Sequence, residues 1–323
     1  KINLYTSIFL SNKDFMEISI IGFSSIVERK ILSALNKIHG ILKVNIFSRR
    51  NLKKELFNIY NFNVDLIREE KLYEFSKNCN SYFYYVSTEN STHDFYTNLL
   101  LKNKKNVITD KPITLSKSIF YENLNLARIN KCFLSEALTW EYHSQVDFLR
   151  KYLSVNKISE VLVRFTIPMP NKENFRVNNN IGSGVFWDMS SYLISTINLL
   201  NYDNNYLLKN SKNIGEYNNQ WFTVESKNYK NRIDALFGFG FPYQNRLEVK
   251  TNNGFLIFNR IYTSEPSEPV FVDEISNDFY KRHEFIDDSF LNYFKKVLYC
   301  IEKKDYECEL IKIEKSYEKI FQN

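Results

Sequence analysis

The first part of the chain, to about residue 130, alternates between short apolar runs and stretches with helical periodicity. The runs "EISIIG", "KVNIFS", "SYFYYVS" and "NVIT" have the length and the β-branched and aromatic content of buried strands. Apolar positions three or four residues apart predict helices in "ERKILSALNKI", "LKKELFNIY", "HDFYTNLLLKNK" and residues 116–130. Because strands and helices alternate, we predict a parallel, doubly wound α/β sheet with its ligand at the carboxyl ends of the strands.

The pattern changes after a helix predicted at residues 144–153. Strands without helices between most of them are predicted for "EVLVRFTIPMP", "WFTVES", "IDALFGFGF", "RLEVKT" and "GFLIFNRIY", and "TNNG" is typical of a hairpin turn. Two helices, at about 284–303 and 309–320, are predicted to close the chain. We therefore predict a nucleotide-binding domain over 1–138 and an α+β domain with a large, mostly antiparallel sheet over 139–323, with a cleft between them.

Composition narrows the class of protein. With 323 residues, 44% of them hydrophobic, the chain has enough apolar surface for two cores. No run of about 18 apolar residues occurs, and the N-terminal "LYTSIFL" lacks a small-residue cleavage site, so we predict a cytoplasmic protein with no membrane partner. The net charge of +6 contains no basic block, which argues against nucleic acid and suits small anionic ligands. The four cysteines form no C-x-x-C pair, so neither disulfides nor a metal site is predicted.

The stretch "EISIIGFSSIVERKILSAL" has the order strand, turn and helix that a dinucleotide pyrophosphate requires. The three positions of the G-x-G-x-x-G turn are Gly22, Ser24 and Val27, so one glycine of three is present. Serine adds a small side chain whose hydroxyl could itself bond phosphate, and a helix beginning near Ser25 and Ile26 offers amides and a positive dipole. The turn is therefore either a cofactor site with fewer glycines or a plain strand-turn-helix.

The end of the second predicted strand bears on which dinucleotide would bind. A fold that prefers NAD usually has Asp or Glu there, which bonds the ribose hydroxyls, whereas a basic residue accommodates the 2′-phosphate of NADP. This chain has Ser48, Arg49 and Arg50. We therefore predict NADP(H), with NAD(H) disfavoured; the alternative is that the two arginines belong to a solvated loop.

Three further stretches carry a family resemblance. They are "VSTENSTHDFYTNLLLKNKKNVITDKPITLS" at 86–116, "EALTWEYHSQ" at 136–145 and "NIGSGVFWDMSSYLISTINLL" at 180–200. In order and spacing the chain resembles the glucose-fructose oxidoreductase / inositol dehydrogenase (Gfo/Idh/MocA) family over nearly its whole length. The resemblance implies an N-terminal Rossmann-type sheet, a C-terminal α+β domain, and assembly as a homodimer or homotetramer through the open face of the C-terminal sheet.

The chain departs from the family pattern at five positions. Besides Ser24 and Val27, it has Glu89 for the usual Pro, Asp110 for Glu in the Glu-Lys-Pro signature, and Ser183 for the middle Gly of the Gly-Gly-Gly motif. Asp110 keeps the negative charge, whereas the turn changes bear on cofactor affinity. Only 8 glycines occur in the whole chain, so a composition bias explains some of the losses without loss of function.

The resemblance implies roles for the residues that match its motifs. Tyr192 would protonate the alkoxide that develops as a keto group is reduced, and Lys111 would supply an ammonium that lowers the cost of the phenolate. Asp188, four residues before Tyr192 and so on the same helical face, would bond a substrate hydroxyl or orient Tyr192. Without the motif, this pair would be interpreted as a surface Asp and a half-buried Tyr.

The remaining implied site residues bind cofactor or substrate. For the cofactor they are Gly22, Ser24, Ser25, Ile26, Ser48, Arg49, Arg50, Ser87, Thr88, Asn90, His93, Asp110 and Lys111. For the substrate they are Trp140, His143, Arg176, Asp188 and Tyr192. For each of the two histidines, a helix-capping or core histidine is the alternative.

The segments "FRVNNNIGSGVFWDM" and "YQNRLEVKTNNGFLIFNRIYTSEP" are similar to the branch of the family that reduces keto groups on nucleotide-linked sugars. We therefore expect an NADP(H)-dependent reductase of the C3 keto group of a sugar nucleotide, in deoxysugar or surface-glycan synthesis. The alternatives are an NAD(P)-dependent free-sugar or inositol dehydrogenase, and a non-catalytic descendant that acts as a binding module.

Overall fold

The computed structural model describes residues 15–178, 182–201, 206–210, 220–226 and 232–321. The N-terminal stretch at 4–10 and residues 179–181, which precede the glycine motif at 182–184, lie outside this part of the chain. Contacts divide the chain into two compact units, residues 1–137 with 290–315 and residues 138–289 with 316–323. These units differ from the sequence-based division at residue 138 mainly in where residues 290–315 fall, and that division stays a prediction.

The first unit contains a six-stranded sheet in the order β3-β2-β1-β4-β5-β6, with every neighbouring pair parallel. Its strands are β1 (Met16–Ile21), β2 (Ile41–Ser48), β3 (Asn63–Arg68), β4 (Tyr84–Val86), β5 (Val107–Thr109) and β6 (Leu134–Glu136). The order reverses at β1, and ligands of doubly wound sheets bind at such a switch point. The predicted parallel, doubly wound sheet is confirmed.

The helices of this sheet follow its strands. They are α1 (Leu32–Asn36), preceded by a π-helical segment over Val27–Ile31, α2 (Leu72–Asn78), α3 (Asn90–Lys102) and α4 (Lys117–Asn130). Ser116 caps α4, because its hydroxyl accepts the amide N–H of Ile119 at 3.4 Å. β1 and β4 are buried on both faces, which explains why they are near-continuous apolar runs in the sequence.

One predicted helix of the first unit is wrong. "LKKELFNIY" forms only a 3-10 turn over Lys54–Phe57, and Phe57 is the residue that this turn buries. The apolar spacing of the segment indicated a helix, but Leu56 and Ile59 are exposed. The edge strand β3 and the short helix α2 were not predicted, since β3 has one buried residue, Val64, among exposed and partly buried positions and no continuous apolar run.

The second unit contains an eight-stranded sheet in the order β14-β13-β12-β11-β7-β10-β9-β8. Its strands are β7 (Ile158–Ile167), β8 (Tyr206–Asn210), β9 (Trp221–Ser226), β10 (Arg232–Phe239), β11 (Gln244–Thr251), β12 (Gly254–Phe258), β13 (Val270–Ile275) and β14 (Tyr280–Phe285). Only β7 and β10 pair in parallel among these strands. The predicted large, mostly antiparallel sheet is confirmed.

Four helices accompany the second half of the chain. They are α5 (Ser144–Leu153), α6 (Val185–Leu199), α7 (Ser289–Lys303) and α8 (Glu307–Phe321). The predicted start of α7 near Glu284 is wrong, because Glu284 and Phe285 belong to β14, which pairs with β13. β14 lies at the sheet edge and is largely exposed, so its sequence has no apolar run to mark it. Among the described residues, no helix has both the length and the apolar character needed to cross a membrane.

Part of α7 belongs to the core of the first unit. Phe294 is fully buried, with its ring stacked on Phe83 at 5.8 Å between centroids. We predict that Phe294→Ala lowers the free energy of unfolding by about 3–5 kcal/mol, because it leaves a cavity in this core. The control Phe95→Ala removes a ring that is 64% exposed. It should cost less than about 0.5 kcal/mol in urea unfolding. A cost below about 1 kcal/mol for Phe294→Ala would contradict this account of α7.

Candidate active site

The glycine turn at the end of β1 approaches the end of β4 closely. Gly22 has a φ of +89°, and a Cβ added to it would lie 2.3 Å from the carbonyl oxygen of Ser87. Glycine is therefore required here by both conformation and space. Ser24 is not among the described residues with positive φ, so a side chain is compatible with the backbone at the second glycine position. The helix begins at Ser25 and Ile26, which leaves their amides at its N-terminus.

The end of β2 carries the two arginines predicted from sequence. Ser48 is buried, and its hydroxyl accepts the amide N–H of Arg50 at 3.0 Å. The Arg50 guanidinium donates to the carbonyl oxygen of Phe23, in the glycine turn. Arg49 is exposed, and its Nε lies 3.6 Å from a carboxylate oxygen of Glu69. Arg50 is thus held against the turn, whereas Arg49 faces solvent.

A third arginine at this edge was missed by the sequence analysis. Arg68, the last residue of β3, pairs in register with Ser48. Its guanidinium donates to the carbonyl oxygen of Arg49 at 3.1 Å and to Asn51 Oδ1 at 2.8 Å. Arg68 could have been found from its place at the carboxyl end of a parallel strand, but β3 itself was not predicted.

The ends of β4 and β5 are joined through Asp110. Ser87 donates its hydroxyl to Asp110 Oδ2 at 2.5 Å, and Tyr85 donates its phenol to Asp110 Oδ1 at 2.5 Å. The hydroxyls of Ser24 and Ser87 are 2.8 Å apart. The structure therefore brings Gly22, Ser24, Ser87 and Asp110 together at the switch point of the sheet.

Lys111 is half-buried, and hydrogen bonds hold the segment that follows it. The Lys111–Pro112 peptide bond is cis. The carbonyl oxygen of Pro112 lies 2.7 Å from His93 Nδ1, and the amide of Ile113 donates to Glu136 Oε1 at 3.1 Å. His93 Nε2 is also 3.1 Å from the carbonyl oxygen of Thr88. His93, buried in the first turn of α3, therefore ties the Thr88 loop to the lysine segment, and Asn90 begins the same helix.

In the second unit, the start of α6 is docked on the loop that contains Arg176. The amide of Gly184 donates to the carbonyl oxygen of Arg176 at 2.7 Å, and Arg176 Nε donates to Asp188 Oδ2 at 3.1 Å. The Asp188 side chain is 7% exposed and lies in the first helical turn, where the helix dipole favours a negative charge. The charge of Asp188 raises the pKa of Arg176 above its ordinary value. Asp188 and Arg176 thus form a fixed ion pair.

Tyr192 lies one turn beyond Asp188 on α6 and is half-buried. Its ring meets Phe165 edge-on, at 5.1 Å between centroids and 90° between planes, and lies 5.2 Å from the ring of Tyr262. The hydroxyl of Thr196 donates to the Tyr192 carbonyl oxygen at 2.7 Å. These contacts restrict the orientation of the phenol.

The other two predicted substrate residues have structural partners. Trp140 is buried, its Nε1–H donates to Ser195 Oγ at 3.2 Å, and its ring packs edge-on against Tyr262 at 5.1 Å. His143 caps α5 by accepting the amide N–H of Gln145 at its Nδ1, at 3.2 Å. Burial lowers the pKa of His143, which favours its neutral form. Within the second unit, the structure brings Arg176, Asp188 and Tyr192 together and uses Trp140 and His143 in packing and capping.

The first unit has the features that a dinucleotide pyrophosphate needs. Gly22 lets the turn after β1 pack directly against the Ser87 backbone, and the amides of a helix N-terminus follow it. In the part of the chain that the structure describes, no group of three or more His, Cys, Asp or Glu residues could hold a metal ion.

Gly40 provides a matched control for a test of Gly22, because both glycines have a left-handed φ. Gly40 has a φ of +86°, but a Cβ there would meet only the Met16 methyl at 3.5 Å. We predict that Gly22→Ala and Gly40→Ala both lose roughly 1–2 kcal/mol through φ strain. Only Gly22→Ala should also displace Ser87 and weaken dinucleotide binding, by about tenfold or more in fluorescence titration. Equal binding by the two variants would contradict a cofactor role for the turn.

Comparison with known proteins finds a family match for the N-terminal part of the chain. A profile described as "Oxidoreductase family, NAD-binding Rossmann fold" (GFO_IDH_MocA) matches residues 16–138. No match is found among curated proteins. Among solved structures, the 3-ketoreductase KijD10 from Actinomadura kijaniata, in complex with NADP and TDP-benzene, has a TM-score of 0.82 at 18% identity over 95% of each chain. An aldose-aldose oxidoreductase from Caulobacter crescentus, complexed with glycerol, has a TM-score of 0.76 at 14% identity over 95% of this chain and 98% of its own. The structural matches show a shared fold. Residues 16–138 are therefore similar to the Gfo/Idh/MocA family of oxidoreductases with an NAD-binding Rossmann fold.

Proposed function

We propose that this protein is an NADP(H)-dependent reductase of the C3 keto group of a nucleotide-linked sugar, in deoxysugar or surface-glycan synthesis. The observation that carries the proposal is the constellation on α6, where a buried Asp188 paired with Arg176 precedes Tyr192 by one helical turn. An ion pair beside a phenol provides hydrogen-bonding groups for sugar hydroxyls and a proton donor for a sugar oxygen. KijD10, a 3-ketoreductase crystallised with NADP and TDP-benzene, supports the substrate class through its similar fold.

The chemistry assigns one role to each group. The nicotinamide supplies the hydride when the cofactor is bound. Tyr192 gives its phenolic proton to the sugar oxygen as negative charge develops there. Lys111 supplies a positive charge that favours the resulting phenolate. Asp188, oriented by Arg176, accepts a hydrogen bond from a sugar hydroxyl, and the packing of Tyr192 against Phe165 keeps its ring fixed.

The proposed cofactor site lies at the carboxyl ends of β1, β2, β4 and β5. The amides near Ser24, Ser25 and Ile26 bind the pyrophosphate. The side chains of Ser48, Arg49 and Arg50 line the adenosine end and favour a 2′-phosphate, and Arg68 adds a further positive charge at the same edge. Toward the nicotinamide, the proposed residues are Ser87, Thr88, Asn90, His93, Asp110 and Lys111.

Two alternatives receive less support. An NAD-dependent free-sugar or inositol dehydrogenase usually has an acidic residue at the end of β2 that bonds the ribose hydroxyls. This chain has Ser48-Arg49-Arg50 there. A non-catalytic binding module was suggested by the missing glycines. However, Ser24 and Ser183 are not among the described residues with positive φ, so neither position requires glycine. Loss of those glycines is therefore weak support for a lost function.

The proposal includes assembly and location. One face of the second unit's sheet carries ion pairs, including Arg164–Asp234 at 2.9 Å and Arg282–Asp273 at 2.7 Å, in which Asp234 and Arg282 are exposed, and the ring of Phe255 in β12 is also exposed. We propose that copies of the chain associate through this face as a homodimer or homotetramer. The four cysteines are free thiols, as expected in a reducing compartment such as the cytoplasm.

Cofactor choice can be tested at Arg49. Because its guanidinium is exposed at the end of β2, it can approach a 2′-phosphate. We predict that the protein binds NADPH more tightly than NADH and that Arg49→Ala narrows this gap by about tenfold, with NADH affinity unchanged. The control Arg150→Ala removes a surface arginine that is paired with Asp147 in the second unit. Calorimetric titration that gives equal affinities for the two cofactors in the unmodified protein would contradict the assignment.

The catalytic assignment is tested with NADPH and a panel of keto-sugar nucleotides, by the loss of nicotinamide absorbance. We predict that Tyr192→Phe lowers turnover by a factor of about 10² to 10⁴ with folding and NADPH binding intact. The control is Tyr121→Phe, at an exposed tyrosine of α4.

Lys111→Ala should be at least as damaging as Tyr192→Phe. A double variant whose loss is far smaller than the product of the single losses would indicate that the two residues act on one step. Turnover that survives Tyr192→Phe would refute the role of the phenol. Failure to bind either dinucleotide at millimolar concentration would favour the binding module.

A further inference from the structure

Hydrogen bonds connect the glycine-poor turn of the first unit to the Asp110-Lys111-Pro112 signature. Ser24 Oγ lies 2.8 Å from Ser87 Oγ, and Ser87 Oγ lies 2.5 Å from Asp110 Oδ2. Ser24 and Asp110 are two of the positions at which the sequence departs from the family pattern. The hydroxyl of Ser87 therefore joins two departures that the sequence analysis treated as separate.

The direction of these hydrogen bonds follows from counting protons. The Asp110 carboxylate accepts only, so Ser87 donates its single proton to it. Ser87 can then offer Ser24 only lone pairs, so Ser24 donates its own proton to Ser87. The amide N–H of Val27 also points to Ser24 Oγ, at 3.4 Å. The Ser24 hydroxyl is thus left with no proton for a phosphate oxygen.

We infer that Ser24 is a positioning residue for the lysine segment and that Ser24 and Asp110 form a matched pair joined by Ser87. The inference rests on the proposed function for the role of Lys111. The residues after Lys111 are held by hydrogen bonds to His93 and Glu136. Asp110, the residue before Lys111, is held by the hydroxyl of Ser87. The Ser24 link ties this segment to the turn that would hold the pyrophosphate, so the two parts of the cofactor site keep a constant spacing.

The pairing has a steric basis. With Asp110 already 2.5 Å from Ser87, the additional methylene of a glutamate would push its carboxylate into the Ser87 hydroxyl. A glycine at position 24 would remove the donor to Ser87 and free space around that hydroxyl. The family's own combination, glycine in the turn with glutamate in the signature, is therefore expected to be compatible when both changes are made together.

The first experiment separates positioning from phosphate binding. Ser24→Ala should leave the Kd for NADPH within about twofold, because no donor to phosphate is lost, and should lower kcat by about tenfold, the usual effect of one partly buried hydrogen bond. Ser24→Thr keeps the hydroxyl and should restore kcat. The matched control is Ser81→Ala, which removes a buried serine–serine hydrogen bond of 2.7 Å to Ser19 and should leave kcat unchanged.

The second experiment tests the matched pair. Ser24→Gly and Asp110→Glu should each lower kcat and shift the unfolding equilibrium by about tenfold, and the double variant should recover most of both losses. The unfolding measurement and the rate at which an amine-specific reagent labels Lys111 need no turnover. They therefore test the pairing even if no keto-sugar nucleotide is reduced, which would be a failure of the proposed function alone.

Three outcomes would overturn the inference. In the first, Ser24→Ala weakens NADPH binding tenfold or more with kcat preserved, which would make the serine a phosphate ligand. In the second, the fold-changes caused by Ser24→Gly and Asp110→Glu multiply in the double variant, both in the unfolding equilibrium and in the labelling rate of Lys111. The two positions would then be independent. In the third, Ser24→Thr fails to restore what Ser24→Ala loses, which would show that the hydroxyl is not the active feature. If Ser24→Ala does not fold, Ser87→Ala removes the bonds to both Ser24 and Asp110, and it should lower kcat at least as much.

Discussion

The close approach of the β1 turn to the end of β4 is the constraint on which the first unit depends. Gly22 leaves no room for a Cβ against the Ser87 carbonyl, so the strand ends meet backbone to backbone. This contact places the Ser87 hydroxyl where it can bond both Ser24 and Asp110, and Asp110 in turn fixes the start of the lysine segment. One backbone contact thus sets the positions of the turn, of β5's end and of Lys111, and small displacements there would be transmitted to all three.

The second unit depends on a different interaction, the ion pair between Asp188 and Arg176. A carboxylate that is 7% exposed loses most of its hydration, and it is compensated by an opposite charge at 3.1 Å and by the positive end of α6. Removing Arg176 would leave the buried Asp188 carboxylate without its opposite charge, which lowers the free energy of unfolding. The pair therefore serves stability as well as orientation, so Arg176 variants need a folding control before a change in turnover is assigned to substrate binding.

The sequence predicted some levels of the structure better than others. The sheets were predictable because buried strands such as β1, β10 and β11 carry continuous or alternating apolar residues, and this pattern depends only on local burial. The edge strands β3 and β14 were missed, since their exposed positions carry polar side chains. The candidate residues followed from motifs, but Arg68 and the hydroxyl link through Ser87 depend on register between strands distant in sequence. Such contacts are created by the fold, and no local pattern indicates them.

The scarcity of glycine becomes informative once the backbone is known. Six of the seven glycines in the described part of the chain have positive φ, so glycine is present mainly where an ordinary residue would be strained. Among them are Gly182 and Gly184, on both sides of Ser183, and Gly22 in the turn. At Ser24 and Ser183, by contrast, φ is not positive, and the replacements sit where conformation imposes no such cost. The strained glycines are required by the backbone itself, so they are expected to be kept whether or not the site binds a cofactor. The missing glycines at Ser24 and Ser183 are therefore explained by a composition bias at positions that do not need glycine, and they are not evidence for decay of the site.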